Sequence, residues 1–181
     1  MNLLISLHER LCAVLTAALL PIAARLVFAG VLLAYFWTSA LTKLGEGLAG
    51  LVIPSDGAYA QIFPRAFEAV GYDSTQLGAF HWLVTVAGTW AEFLLPALIV
   101  LGLLTRLAAL GMIGFIVVQS LTDIFGHMAD AATVGRWFDA ASDALILDQR
   151  ALWIVVLLIL ATMGGGRLSL DAVLARRTGT S

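Results

Sequence analysis

Charge is scarce in this sequence. Only 12% of its 181 residues are Asp, Glu, Lys or Arg, where a soluble globular domain carries about a quarter. Ten Lys and Arg against twelve Asp and Glu leave a formal net charge of −2, with no basic run and no basic patch interleaved with aromatics. That pattern argues against nucleic acid as a partner. Cysteine is nearly missing as well: Cys12 stands alone, so the chain can form neither an internal disulfide nor a CxxC redox pair. Redox chemistry would have to come from a bound molecule or another subunit. GxSxG and GxxxxGK[ST] are both absent, and the GGG at 164–166 follows an apolar helix instead of opening one, so nucleophile-elbow and phosphate-loop chemistry have no foothold. No internal repeat or low-complexity linker divides the chain.

What is present is apolar. Hydrophobic residues make up 61% of the chain and mean hydropathy is +0.97, the composition of a protein whose solvent is lipid. The reading is all-α, a polytopic membrane four-helix bundle with an N-terminal amphipathic helix and long outer loops. Residues 1–20 form the interfacial helix: Leu3, Leu4, Leu7, Leu11, Val14, Leu15 and Ala18 recur at helical spacing, with Ser6, Glu9, Arg10 and Thr16 elsewhere around the wheel. A cleaved signal peptide is disfavoured, because Glu9 sits beside Arg10 and no basic segment precedes the apolar run. Pro21 marks the start of span one, about 21–44. Spans two, three and four fall at about 80–104, 107–125 and 149–166, giving one domain over 21–171 and a tail at 172–181.

Span two organises the rest. Its 25 residues carry a single carboxylate, Glu92, near the middle. At ~1.5 Å per residue such a helix crosses a hydrocarbon core of ~30 Å, and an ionised side chain at its centre costs at least ~2.5–3.5 kcal/mol. Glu92 therefore needs a partner or a purpose. His81, Thr85, Gly88 and Glu92 share one arc of this helix, a polar and small-residue stripe expected to face the bundle interior. Pro96, four residues after Glu92, frees the Glu92 carbonyl from the backbone ladder and is expected to bend the helix.

In span one, Arg25 and Lys43 are 18 residues apart, five whole turns, so they project from one face ~27 Å apart and fit the two interfaces of a bilayer. In the connection over 45–79, Tyr59, Phe63 and Phe67 recur every four residues, predicting a short amphipathic helix on the headgroups. The far end of span three is polar, with Gln119, Ser120, Thr122, Asp123 and then His127. Asp123 and His127 stand at i and i+4, within direct hydrogen-bonding reach on one helical face.

Six Arg on one side (10, 25, 106, 167, 176 and 177) face Lys43, Arg65, Arg136 and Arg150 on the other, these four spread through long loops with eight acids. Both termini are then cytoplasmic and the acidic loops face outward. This orientation gathers Lys43, His81, Asp123 and His127, with Gln119, Thr85 and Ser39, above the deeper Glu92. A titratable cluster of this kind suits a quinone headgroup, with Phe36, Trp82 and Trp90 as aromatic walls and the carboxylate for proton exchange. Blander readings stand beside it. Glu92 can be neutral, or ion-paired with Lys43 or Arg25 as packing glue, and Asp123 and His127 can be wetted headgroup residues. A metal site from His81, Asp123 and His127 is disfavoured, because no HxxxH or ExxH spacing brings three ligands together.

Three segments carry a family resemblance. Span one is led by Arg25 and ends in FWTSALTKL, holding Ser39 and Lys43; AEFLLPALIVLGLLTRLAAL carries Glu92, Gly102, Thr105 and Arg106; and GGGRLSLD closes span four before Asp171. In this order the set resembles the DoxX-like membrane proteins, a superfamily of four-helix inner-membrane proteins that includes the DoxD-type subunit of thiosulfate:quinone oxidoreductase. The resemblance implies a multi-pass protein of the bacterial cytoplasmic membrane and, if an enzyme, a quinone-dependent oxidoreductase subunit. Arg25, Arg106 and Asp171 are expected to be structural charges. The alternative is a non-enzymatic partner or assembly protein that docks an extracytoplasmic protein through the acidic outer loops. Self-association is left open by either reading.

Overall fold

The computed structural model describes residues 2–178, with side chains from Ile5 to Arg177. Helix α1 (Asn2–Phe28) passes through a π turn (Ala29–Leu33) into α2 (Ala34–Lys43). Two short helices, α3 (Asp56–Ile62) and α4 (Pro64–Ala69), precede α5 (Ala79–Leu101). Then come α6 (Thr105–Leu121), which ends in a π turn (Thr122–Gly126), and the single turn α7 (Ala131–Val134). A π turn (Leu145–Gln149) leads into α8 (Arg150–Met163), and α9 (Leu170–Thr178) follows.

Four helical stretches are long and apolar enough to cross a membrane: Ile5–Lys43, Ala79–Leu101, Thr105–Gly126 and Leu145–Met163. Only 17–28% of their most apolar windows is buried inside the bundle, so most of this apolar surface faces outward, as lipid contact requires and water does not tolerate. The core is correspondingly thin. Phe28, Leu32 and Phe36 from the first helix meet Ile99 of α5, Met112 and Ile116 of α6, and Leu157 and Leu160 of α8. The first helix packs on α5 and α8, and α6 on the same two, which closes a four-membered ring.

Several local expectations change. Pro21 does not begin a helix; α1 runs straight through it, because apolar flanks in lipid offer the backbone no competing water. The stretch Ile5–Lys43 has 39 residues, ~58 Å of helix and nearly twice the ~30 Å hydrocarbon core. Leu7, Leu11, Val14, Leu15 and Leu19 in its first half are all exposed, while Leu3 and Leu4 lie outside the described side chains and residues 179–181 outside the described chain. The single amphipathic helix over Tyr59, Phe63 and Phe67 is two helices, since Pro64 has no N–H to continue α3 and instead opens α4. Tyr59 and Phe67 stack at 6.3 Å and are buried.

The segment after Lys43 is also more than a loop. Gly45 N–H donates to Gly50 O and Ile53 N–H to Ala49 O, folding Leu48–Leu51 into a tight 3-10 turn. The indole N–H groups of Trp82 and Trp90 on α5 donate to Val52 O and Leu51 O. Trp90 stands 11 residues into α5, ~16 Å along its axis, so this apolar turn folds back along the helix to membrane depth. The two indoles satisfy carbonyls that lipid could not.

At the opposite end the family-like segments interlock. Gly102 (φ 70°) and Leu104 (φ 49°) turn the chain from α5 to α6. A Cβ on Gly102 would stand 2.5 Å from the Ser169 Cβ. Asp171 accepts from the N–H groups of Leu104 and Thr105 and from the Thr105 hydroxyl, capping α6. The Arg25 guanidinium donates to Ile99 O, Val100 O, Gly165 O and Leu168 O. One cation thus satisfies the carbonyl end of α5 and the glycine-rich exit of α8 together. Arg106 is exposed beside Gly164.

Candidate functional site

Ser39 and Lys43 are one turn apart on α2, so their side chains share a face, and that face meets Glu92 on α5. Lys43 Nζ lies 2.8 and 3.1 Å from the two Glu92 carboxylate oxygens, 2.7 Å from Ser39 Oγ and 3.2 Å from Ser39 O. Ser39 Oγ donates to Glu92 Oε1 at 3.3 Å. The two charged side chains are only 5% and 3% exposed. Glu92 stands 13 residues into α5, ~20 Å along the axis, so the pair is at membrane depth. Lys43 is the last residue of α2, and its ammonium group reaches to the depth of Glu92. The π turn at 29–33 puts an extra residue into one turn and rotates everything after it relative to Arg25, which breaks the simple five-turn register.

The pair lines a cavity of about 460 Å³ between α2, α3, α5 and α6, within the range of ligand sites, ~300–1,000 Å³. Its walls are mostly apolar or small: Val84, Ala87, Gly88, Ala91 and Leu95 from α5, and Gly111, Gly114, Phe115 and Val118 from α6. Polar groups enter at two places, Ser39, Lys43 and Glu92 on one wall, and Gln61, Gln119, Thr122, Asp123 and His127 towards α3 and the π turn that ends α6. Gln119 donates from its amide to Tyr35 Oη, while its Oε1 is buried with no hydrogen-bond partner among the described residues.

Of the eight residues expected at the site, six line this cavity: Ser39, Lys43, Glu92, Gln119, Asp123 and His127. His81 and Thr85 do not. The ring of His81 packs edge-on against Phe63 at 4.8 Å, and Thr85 is fully buried beneath the stripe, its carbonyl accepting from the Thr89 hydroxyl. The aromatic walls also differ. Phe36 is sealed in the core and Trp82 and Trp90 are committed to the folded-back turn, so Phe115 is the aromatic that meets the cavity.

Asp123 and His127 do not bond to one another. They lie in and just after a π turn, whose wider spacing separates the i and i+4 side chains. Asp123 pairs instead with Arg150, which also donates to Ser120 Oγ at 3.0 Å, and His127 Nε2 donates to Gln61 O at 3.0 Å. Arg150 is the residue sequence reasoning missed. Its place beside the acidic segment groups it with the loop cations, yet it is 7% exposed at the start of α8. The available signal was a rule of charge: an acid near the end of one span calls for a base at the matching depth of another. Among the described residues, no group of three His, Cys, Asp or Glu converges as a metal site would require.

A family model, DoxX, matches residues 20–125. The chain belongs to the DoxX family. The matched region runs from within the first membrane stretch through the second and nearly to the end of the third and includes Lys43, Glu92 and Asp123; Arg150 and Asp171 lie beyond it. No curated protein and no solved structure matches this DoxX chain.

Proposed function

We propose that this DoxX protein is the integral-membrane subunit of a quinone-linked redox system, holding a quinone or a similar ligand in the cavity between spans one, two and three. The observation that carries this reading is a mostly apolar cavity with a buried, hydrogen-bonded ammonium–carboxylate pair on its wall. The residues fit the group. Lys43 and Ser39 carry N–H and O–H groups, shared here with Glu92 and each other, that would turn to a ring oxygen, Glu92 is a carboxylate that would exchange a proton with it, and the unpaired Gln119 Oε1 can accept from a ring hydroxyl. When bound, the quinone would supply the electron transfer. The chain's own part is to orient the ring, exclude water and hold a proton at the Glu92 carboxyl. In this reading both termini are cytoplasmic in a bacterial inner membrane.

A second reading, an assembly or partner protein, has its own observation. Phe138 and Trp137 are exposed to 104% and 58% on the outer segment that also carries Asp130, Asp139, Asp143 and Asp148, an aromatic tip in an acidic frame suited to docking an extracytoplasmic protein. One pair of variants separates the readings. Quinone that co-purifies with the wild type and is lost in Glu92→Gln supports the first. Quinone-independent behaviour of that variant, with partner loss on deleting residues 128–147, supports the second.

A further inference from the structure

The cavity is roofed by α3 on one side and reaches the surface of the bundle along the seam between α5 and α6. As the roof, α3 contributes Gln61 and Ile62 to the lining. This cap is tied down at three points. Ser55 Oγ donates to Thr42 O at 3.0 Å, Gln61 Nε2 to Thr42 Oγ1 at 3.2 Å, and His127 Nε2 to Gln61 O at 3.0 Å. Along the seam between α5 and α6, by contrast, the lining residues Ala87, Gly111, Gly114 and Val118 are themselves exposed on the outside of the bundle. A Cβ built on Gly114 meets nothing within 4 Å, and one on Gly111 meets only the flexible end of Leu95.

The depth of that opening decides what can use it. Gly111, Gly114 and Val118 stand 6, 9 and 13 residues after Thr105, so ~9, ~14 and ~20 Å along a helix that crosses a core of ~30 Å. The mouth faces acyl chains, not water. We infer that the ligand reaches this cavity sideways from the bilayer through the α5–α6 seam, and that it is an amphipathic lipid-soluble molecule whose polar head meets Lys43 and Glu92 while one flexible apolar chain stays in the seam. The inference rests on the cavity being a ligand site, as proposed above, and adds the class of the ligand and its path.

The test uses the full chain in lipid nanodiscs and two probes with one quinone headgroup, with and without a decyl chain. The wild type binds the tailed probe ~tenfold or more tightly than the tailless one. Gly114→Leu, which fills the mouth and adds helix propensity, reduces the ratio of tailed to tailless affinity from ~tenfold to ~twofold or less. Val118→Trp repeats the result at the same mouth should the first variant fail to fold. Thr42→Val, which loosens the cap, leaves the association rate of the tailed probe unchanged.

Equal wild-type affinity for both probes overturns the inference and leaves the ligand cavity standing, whereas binding of neither removes both. A faster association in Thr42→Val, with Gly114→Leu silent, assigns the path to the aqueous side. A change of oligomeric state in Gly114→Leu with both affinities unchanged assigns the seam to a second copy of the chain. Either result overturns the inference.

Discussion

Removing the Lys43 charge tests how much of this bundle depends on one buried pair. In Lys43→Met the Glu92 carboxylate loses contacts at 2.8 and 3.1 Å and keeps only the Ser39 hydroxyl at 3.3 Å. An exposed ion pair would be worth ~0–1 kcal/mol. Here the partners are 5% and 3% exposed, and stranding one charge of such a buried pair costs ~3–5 kcal/mol. Replacing both partners, Lys43→Met with Glu92→Leu, removes the stranded charge, so the double variant unfolds near the wild type or up to ~1–4 kcal/mol later. The cycle is read by reversible unfolding in mixed micelles, with helicity followed by circular dichroism. The two single losses are expected to exceed the double by several kcal/mol. A Lys43→Met loss below about 1 kcal/mol, or single losses that simply add in the double, refutes the claim that burial makes this pair decisive.

Two further outcomes follow from the ends of the spans. Burial pushes the Asp171 carboxyl up, but the Thr105 N–H and hydroxyl, the Leu104 N–H and the Arg25 charge outweigh it and hold the group below the usual carboxylate range. Its clasp on α6 is fully present above the unfolded value of about 4 and is lost as pH falls through the lower folded value. Asp171→Asn should therefore cost about 1 kcal/mol at neutral pH and flatten the acid limb of a stability–pH profile measured by thermal unfolding. Arg150→Met strands Asp123 and Ser120 and should lower stability by about 1.5–3 kcal/mol. Arg150→Lys should restore only part of this, because an ammonium lacks the fork that reaches both partners.

The bundle was legible because span length and hydropathy are one-dimensional properties. Those two properties alone mark out four long apolar helical stretches, Ile5–Lys43, Ala79–Leu101, Thr105–Gly126 and Leu145–Met163. Span one was harder, since a chain that stays helical through Pro21 and then inserts a π turn at Ala29–Leu33 gives no periodic sign of either. Lys43 with Glu92 is one of the two pairings the sequence offers, because a lone acid in an apolar run has few bases to choose from. Arg150 with Asp123 is not offered in this way, because their alignment depends on two π turns that the spacing of apolar residues does not encode. The folded-back turn at 45–54 was hidden for a similar reason. Its carbonyls are satisfied by indoles 30 and 39 residues further on, and no local pattern reports such a partner.

The placement of the charges also bears on why the seam stays open. Lys43–Glu92 ties α2 to α5, and Asp123–Arg150 ties the end of α6 to the start of α8. Arg25 binds the first helix to the end of α5 and to the loop after α8. Each strong polar tie thus falls on a neighbouring pair in the ring other than α5 with α6. Those two are joined by the turn at Gly102–Leu104 and its Asp171 clasp at one end and pack directly on one another, Leu95 against Gly111, while the other cavity walls they contribute, Ala87, Gly88, Ala91 and Gly114, are small. Polar contacts between membrane helices are directional where apolar packing is not, so beyond its turn this side of the ring is held by packing alone. Bulkier side chains along that seam would add contacts between α5 and α6, and they would do so at the expense of the space beside Glu92.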